Sequence, residues 1–99
     1  MTESRFEAAA DLKVVALDYD AIVFNPFSWE THLLNPAAAL VLEFAAAGPC
    51  SEAGVSAVLA EALDERERSR AEEHARRLLK ELVDLRLLTE RVADSDAGR

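Results

Sequence analysis

The sequence predicts an α+β domain in which a three-stranded antiparallel sheet is followed by three helices. Two observations lead there. Residues 13–34 carry short runs rich in β-branched and aromatic residues, whereas from Asn35 onward apolar residues recur at helical spacing. The chain has 99 residues, 51% of them apolar and 30% charged, which suffices for one hydrophobic core and not for two. A single domain over residues 1–92 is expected, with a frayed polar tail from Ala93 to Arg99.

The first two strands are Lys13-Val14-Val15-Ala16-Leu17 and Ala21-Ile22-Val23-Phe24, joined by the turn-prone acidic tip Asp18-Tyr19-Asp20. Pro26 removes a backbone donor and pushes Asn25 out of helical space, so Asn25-Pro26-Phe27-Ser28-Trp29 reads as the next connection. The third strand is Glu30-Thr31-His32-Leu33-Leu34.

Asn35 then stands as an N-cap with Pro36 at the first helical position, where its missing N–H is harmless. Ala37, Leu40, Val41 and Phe44 give the first helix an apolar stripe, and Gly48-Pro49 ends it. Ser51 or Ser56 caps a second helix with Val55, Val58, Leu59 and Leu63 on one side. Asp64-Glu65-Arg66-Glu67-Arg68 has no apolar face and either extends that helix or forms a charged loop. Ser69-Arg70-Ala71-Glu72 fits a capping box. It opens the longest helix, about 27 Å to Leu87 at about 1.5 Å per residue, with Ala71, Ala75, Leu78, Leu79, Leu82 and Leu85 as its stripe. Leu88-Thr89-Glu90-Arg91-Val92 is a candidate closing strand.

Eleven basic and nineteen acidic residues give a formal charge of −8. Residues 1–63 hold nine acids against two bases, so nearly all of the net charge lies in the strand-bearing front. Such a chain repels nucleic acid and anionic lipid unless its cations cluster. On the longest helix Arg70, Arg76, Arg77, Lys80 and Arg86 alternate with Glu72, Glu73, Glu81 and Asp84. That mixture is a solvated face, with Arg77 against Glu73 or Glu81 and Lys80 against Asp84 as surface pairs. No apolar run reaches the roughly 20 residues a membrane span needs. Met1 to Glu7 lacks the cationic and apolar segments of an export signal. A cytoplasmic protein, binding neither nucleic acid nor membrane, is expected.

Catalytic groups are sparse. His32 and His74 fit no metal-ligand pattern, and Gly48, Gly54 and Gly98 stand too far apart for a phosphate loop, so neither a metal nor another cofactor is expected. Cys50 has no base near it in sequence and reads as a small residue between two helices. Glu30 and His32 share one side of a strand, where a solvated or core-edge histidine outweighs an acid–base pair. A sheet edge beside a long helix offers more. Its unpaired backbone groups can accept an extended peptide, unless the chain's own termini or a second copy cover them.

The run Val23-Phe24-Asn25-Pro26-Phe27-Ser28-Trp29-Glu30-Thr31-His32-Leu33-Leu34-Asn35-Pro36, continuing through Ala37-Ala38-Ala39 and Val41-Leu42 to Gly48-Pro49-Cys50, resembles PqqD-like proteins. The branch it resembles is that of the HPr-rel-A system PqqD-family peptide chaperones. The resemblance implies a small winged-helix fold acting as a recognition element for the leader segment of a ribosomally made precursor peptide. The leader would add as a strand to Glu30, Thr31, His32, Leu33 and Leu34. It would lie against the longest helix at Ala75, Leu78, Leu79 and Leu82, and a modifying enzyme, by the system's name an HPr kinase-related protein, would act on the core peptide. The chain departs from the family's pattern at Phe6, where Trp is common, and at Trp29, where Gly is common. If that Gly serves a positive backbone angle, Trp29 would be strained, so the turn takes another form or the indole is packed. With Phe27, Trp29 is a candidate partner contact at the hairpin tip.

The leading expectation is therefore a non-catalytic leader-peptide chaperone. A winged-helix nucleic-acid binder is the alternative that charge disfavours. A structural subunit closing its sheet edge by self-association is the third class, and a homodimer is compatible with the sequence.

Overall fold

The computed structural model describes residues 2–94 of the chain, with side chains over residues 4–92. Five strands and four helices follow one another as β1 (Thr2–Ala8), β2 (Lys13–Ala16), β3 (Ala21–Asn25), β4 (Glu30–Leu34), α1 (Pro36–Ala47), α2 (Glu52–Ala62), α3 (Glu65–Arg68), α4 (Ala71–Asp84) and β5 (Leu88–Asp94). β2, β3 and β4 form the expected antiparallel meander. The domain is α+β and winged-helix-like, as the sequence predicts.

The sequence reading lacks β1. That segment carries one large apolar residue, Phe6, and its partner β5 lies at the far end of the chain, with Thr2 opposite Asp94 and Ala8 opposite Leu88. Phe6 also exchanges backbone hydrogen bonds with Cys50, 2.7 Å and 2.9 Å long, which fastens β1 to the α1–α2 connection. β5 covers the candidate closing strand and runs through Ala93 and Asp94, the first two residues of the expected tail. The rest of that tail, residues 95–99, lies outside the described residues.

α1 begins as expected, with the Asn35 side chain accepting from the Ala38 N–H at 2.8 Å. Its buried face is Ala38, Val41, Leu42 and Ala45, rotated from the stripe read in sequence, while Ala37, Leu40 and Phe44 are half-buried. Glu43 is the helix's single polar residue, so no polar face marked the boundary. Ser51, not Ser56, caps α2 by accepting from the Gly54 N–H at 3.1 Å. Asp64–Arg68 neither extends α2 nor stays a loop: α3 is a separate exposed turn, and Arg68 donates its Nε–H back to the Ala60 carbonyl at 3.0 Å.

The expected capping box does not form. Ser69 ends α3 in the right-handed helical region and Arg70 takes the N-cap position of α4 without a side-chain bond. α4 buries Ala71, Ala75, Leu78, Leu79 and Leu82, and its amphipathic stripe is the clearest helical signal in the chain. It stops at Asp84 and not near Leu87. The Arg86 N–H donates to the Val83 carbonyl and the Leu87 N–H to the Leu82 carbonyl, both at 2.9 Å, with Arg86 at φ 66°. This is a Schellman termination with arginine in the left-handed position that glycine usually takes. Leu82 and Leu87, fully buried, supply its apolar contact.

The core lies between the inner face of the meander and α1, α2 and α4. Val23, Leu34, Val41, Val55, Leu59, Leu79 and Leu82 sit at its centre, joined by Phe6 from β1 and by Leu87 and Leu88. Full burial of each leucine contributes about 2 kcal/mol against the cost of ordering the chain. Among the described residues no helix is long and apolar enough to cross a membrane.

Candidate functional site

β4 is an edge strand of the meander. Which of its backbone groups face outward follows from the turn before β3. The Leu17 N–H donates to the Asp20 carbonyl at 2.8 Å, making 17 and 20 a hydrogen-bonded pair. Alternation along β3 then directs Ile22 and Phe24 toward β2, and Ala21, Val23 and Asn25 toward β4. Leu34, His32 and Glu30, opposite those three, turn their backbones inward. Thr31 and Leu33 are left with N–H and C=O groups on the open edge.

The side chains alternate as well. Leu34 is buried, His32 half-buried and Glu30 exposed on the inner face, whereas Thr31 and Leu33 are exposed on the outer face, Leu33 at 67%. A cleft of about 390 Å³ runs beside β4, lined by Thr31, His32, Leu33 and Leu34 from the strand, by Asn35 and Ala38, and by Glu81 of α4 and Leu85, its C-cap. The structure thus brings four of the five expected strand residues together beside α4, while Glu30 does not line the cleft. Ala75, Leu78, Leu79 and Leu82 occupy a different place: they are core, at 0–9% exposure, and hold α4 against α1 and α2. The wall of the cleft is formed by Glu81 and Leu85, further along the helix and on its flank. An exposed acid on a mixed-charge helix gives no sequence signal for that role; Leu85, the end of the stripe, gave a partial one.

His32 Nε2 lies 3.7 Å from Glu30 Oε1 and makes no hydrogen bond among the described residues. The spacing seen in sequence places the two groups together, but beyond hydrogen-bond distance. No group of three or more potential metal ligands occurs among the described residues. Cys50 is buried, its thiol 3.6 Å from the Phe6 carbonyl, and burial pushes the thiol up from its ordinary pKa against a smaller downward pull from Arg5. A group held in its neutral form is not a nucleophile. On α4, Lys80 pairs with Asp84 at 3.6 Å as expected, while Arg76 reaches Glu52 of α2 at 3.5 Å. Arg77 makes neither expected pair.

The hairpin tip holds the residue that sequence reasoning missed, Asn25. It is 3% exposed and the one buried polar side chain among the described residues. Its Oδ1 accepts from the Phe27 N–H at 2.9 Å, its carbonyl from the Trp29 N–H at 2.8 Å, and its Nδ2 donates to the Arg86 carbonyl at 3.0 Å. One side chain therefore shapes the β3–β4 turn and ties it to the exit of α4, the two elements that flank the cleft.

Trp29 adopts φ 61°, so neither sequence-based alternative holds. The turn keeps its left-handed position, and the indole is 82% exposed, touching Phe24 edge-on with ring centroids 6.1 Å apart. Phe27 beside it is 73% exposed. A non-glycine residue in this region costs about 1–2 kcal/mol, and an edge-on aromatic pair returns about 0.5–1.5 kcal/mol. Trp29→Gly is accordingly expected to leave unfolding free energy within about 1 kcal/mol of the parent, whereas Trp29→Ala, which keeps the strain and loses the contact, falls by about 1 kcal/mol. Urea denaturation of the three proteins checks this.

No family model matches the chain, and no curated protein is significantly similar to it. Among solved structures the chain is similar to TbiB1 in complex with the TbiA(beta) leader peptide, with a TM-score of 0.70 over 83% of this chain and 93% of that one. At 12% identity the likeness is one of fold: the winged-helix-like arrangement of strands and helices described above is shared with that protein.

Proposed function

We propose that this domain is a non-catalytic peptide chaperone of the PqqD-like type. It captures the leader segment of a ribosomally made precursor by strand addition to β4 and presents the precursor to a modifying enzyme, for which the resemblance points to an HPr kinase-related protein. The observation that carries this reading is the open edge at Thr31 and Leu33, facing a cleft walled by α4, in a fold shared with a protein solved bound to a leader peptide. The added strand would alternate its side chains between His32, Leu34 and Leu85 on one face and Thr31 and Leu33 on the other. Ala75, Leu78, Leu79 and Leu82 support the groove from beneath, and Phe27 and Trp29 offer the enzyme an aromatic contact at the tip. Glu30, Glu81 and Asp20 make the surroundings acidic, so the leader carries basic residues.

Titration of the labelled protein with a leader encoded beside its gene tests the mode. Backbone amide shifts are expected over Glu30–Leu34 and along α4, with affinity falling several-fold between low and high salt. Shifts confined to α2 and α3, or affinity indifferent to salt, would reject respectively the site and its electrostatic character.

A further inference from the structure

The meander has a second open edge, and it too borders a groove. β2 pairs with β3 on one side only, and the phase fixed by Leu17 and Asp20 leaves Val14 and Ala16 with outward backbone groups. Their side chains line a predominantly apolar groove of about 470 Å³ against α1, where Leu40 and Glu43 form the opposite wall. The size is that of a ligand site and exceeds what one side chain fills.

Two features identify the occupant. The groove adjoins the β4 cleft, because Asp20 and Leu34 line both. Its charged lining is entirely acidic, and neither Asp20 nor Glu43 has an ion-pair partner among the described residues. We infer that the β2–α1 groove is a second subsite for the same peptide: the stretch continuing past the Leu34 end of the added strand crosses Asp20, pairs with the edge at Val14 and Ala16, and seats apolar side chains flanked by Lys or Arg. The inference rests on strand addition at β4 and adds a specificity element to it. The added strand lies one spacing beyond β4 and the second stretch one spacing beyond β2, so about 19 Å separates them, which about six extended residues span. The apolar–basic anchor therefore lies that far outside the paired segment.

The test uses the full chain, labelled with ¹⁵N, and the synthetic pentapeptide acetyl-Lys-Leu-Phe-Leu-Lys-amide, with a Glu-flanked peptide of the same apolar core as control. Saturable shifts at Val14, Ala16, Leu40 and Glu43 are expected, at least about fivefold weaker for the Glu-flanked peptide. They should be lost in Ala46→Trp, which fills the groove from the exposed side of α1, and weakened in Glu43→Gln. Glu43 lines this groove and not the β4 cleft, so its effect separates the two sites. Shifts restricted to Thr31–Leu34 would overturn the second subsite and leave strand addition standing, as would equal binding of the two peptides or none. Groove shifts with the pentapeptide, combined with a leader that leaves Glu30–Leu34 unmoved, would overturn both readings.

Discussion

Thr31→Pro and Leu33→Pro are each expected to weaken leader binding by ten- to a hundredfold while leaving the domain folded. Both residues direct their N–H to the open edge, so proline there removes a donor that only the incoming strand would use. Each lost backbone bond is worth about 0.5–1.5 kcal/mol net, and the pyrrolidine ring adds a steric obstacle to close strand approach. Both side chains point away from the core, which limits the effect on stability to about 1 kcal/mol. His32→Pro provides the contrast. Its N–H belongs to the ladder with Val23, so it is expected to lose stability by more than either edge proline. Isothermal titration with the leader, read beside urea unfolding of the same samples, distinguishes the two phases. If Thr31→Pro and Leu33→Pro bound the leader like the parent, strand addition to β4 would be abandoned.

The meander was legible because its strands are consecutive, short and separated by turn residues whose chemistry is local: Asp18 to Asp20 and Pro26 set the reversals, and Asn35-Pro36 and Ser51 set the helix starts. β1 was not legible, since a lone Phe6 gives no alternation and its pairing with β5 spans the whole chain. The open edge could be named from sequence, but its phase could not, because which amides face outward depends on the register of a two-residue turn. The α4 contribution was displaced for a related reason. A leucine stripe locates the core-facing side of a helix, and a groove beside an edge strand is walled by the flank of that stripe, here Glu81 and Leu85. The end of α4 escaped too: an arginine in a left-handed Schellman position carries no glycine to announce it.

That termination is where the fold and the site depend on one side chain. Asn25→Ala is expected to lower unfolding free energy by about 2 kcal/mol, since the Phe27 N–H and the Arg86 carbonyl each lose a partner in a part-buried bond, at about 1 kcal/mol apiece. For a domain this size, with a total stability of about 5–15 kcal/mol, that is a large share. Asn25→Asp keeps the acceptor for Phe27 but sets a carboxylate against the Arg86 carbonyl, so it recovers little of the loss. The coupling to function follows from what Nδ2 spans. It joins the β3–β4 turn to a residue 61 positions away, at the exit of α4, and without it the end of α4 is free to move relative to β4. Leader affinity in Asn25→Ala is thus expected to fall further than the loss of folded protein accounts for, when measured well below the unfolding midpoint. A variant less than about 1 kcal/mol destabilised, or one binding the leader at parental affinity, would show that the cleft is held by the core leucines of α4 alone.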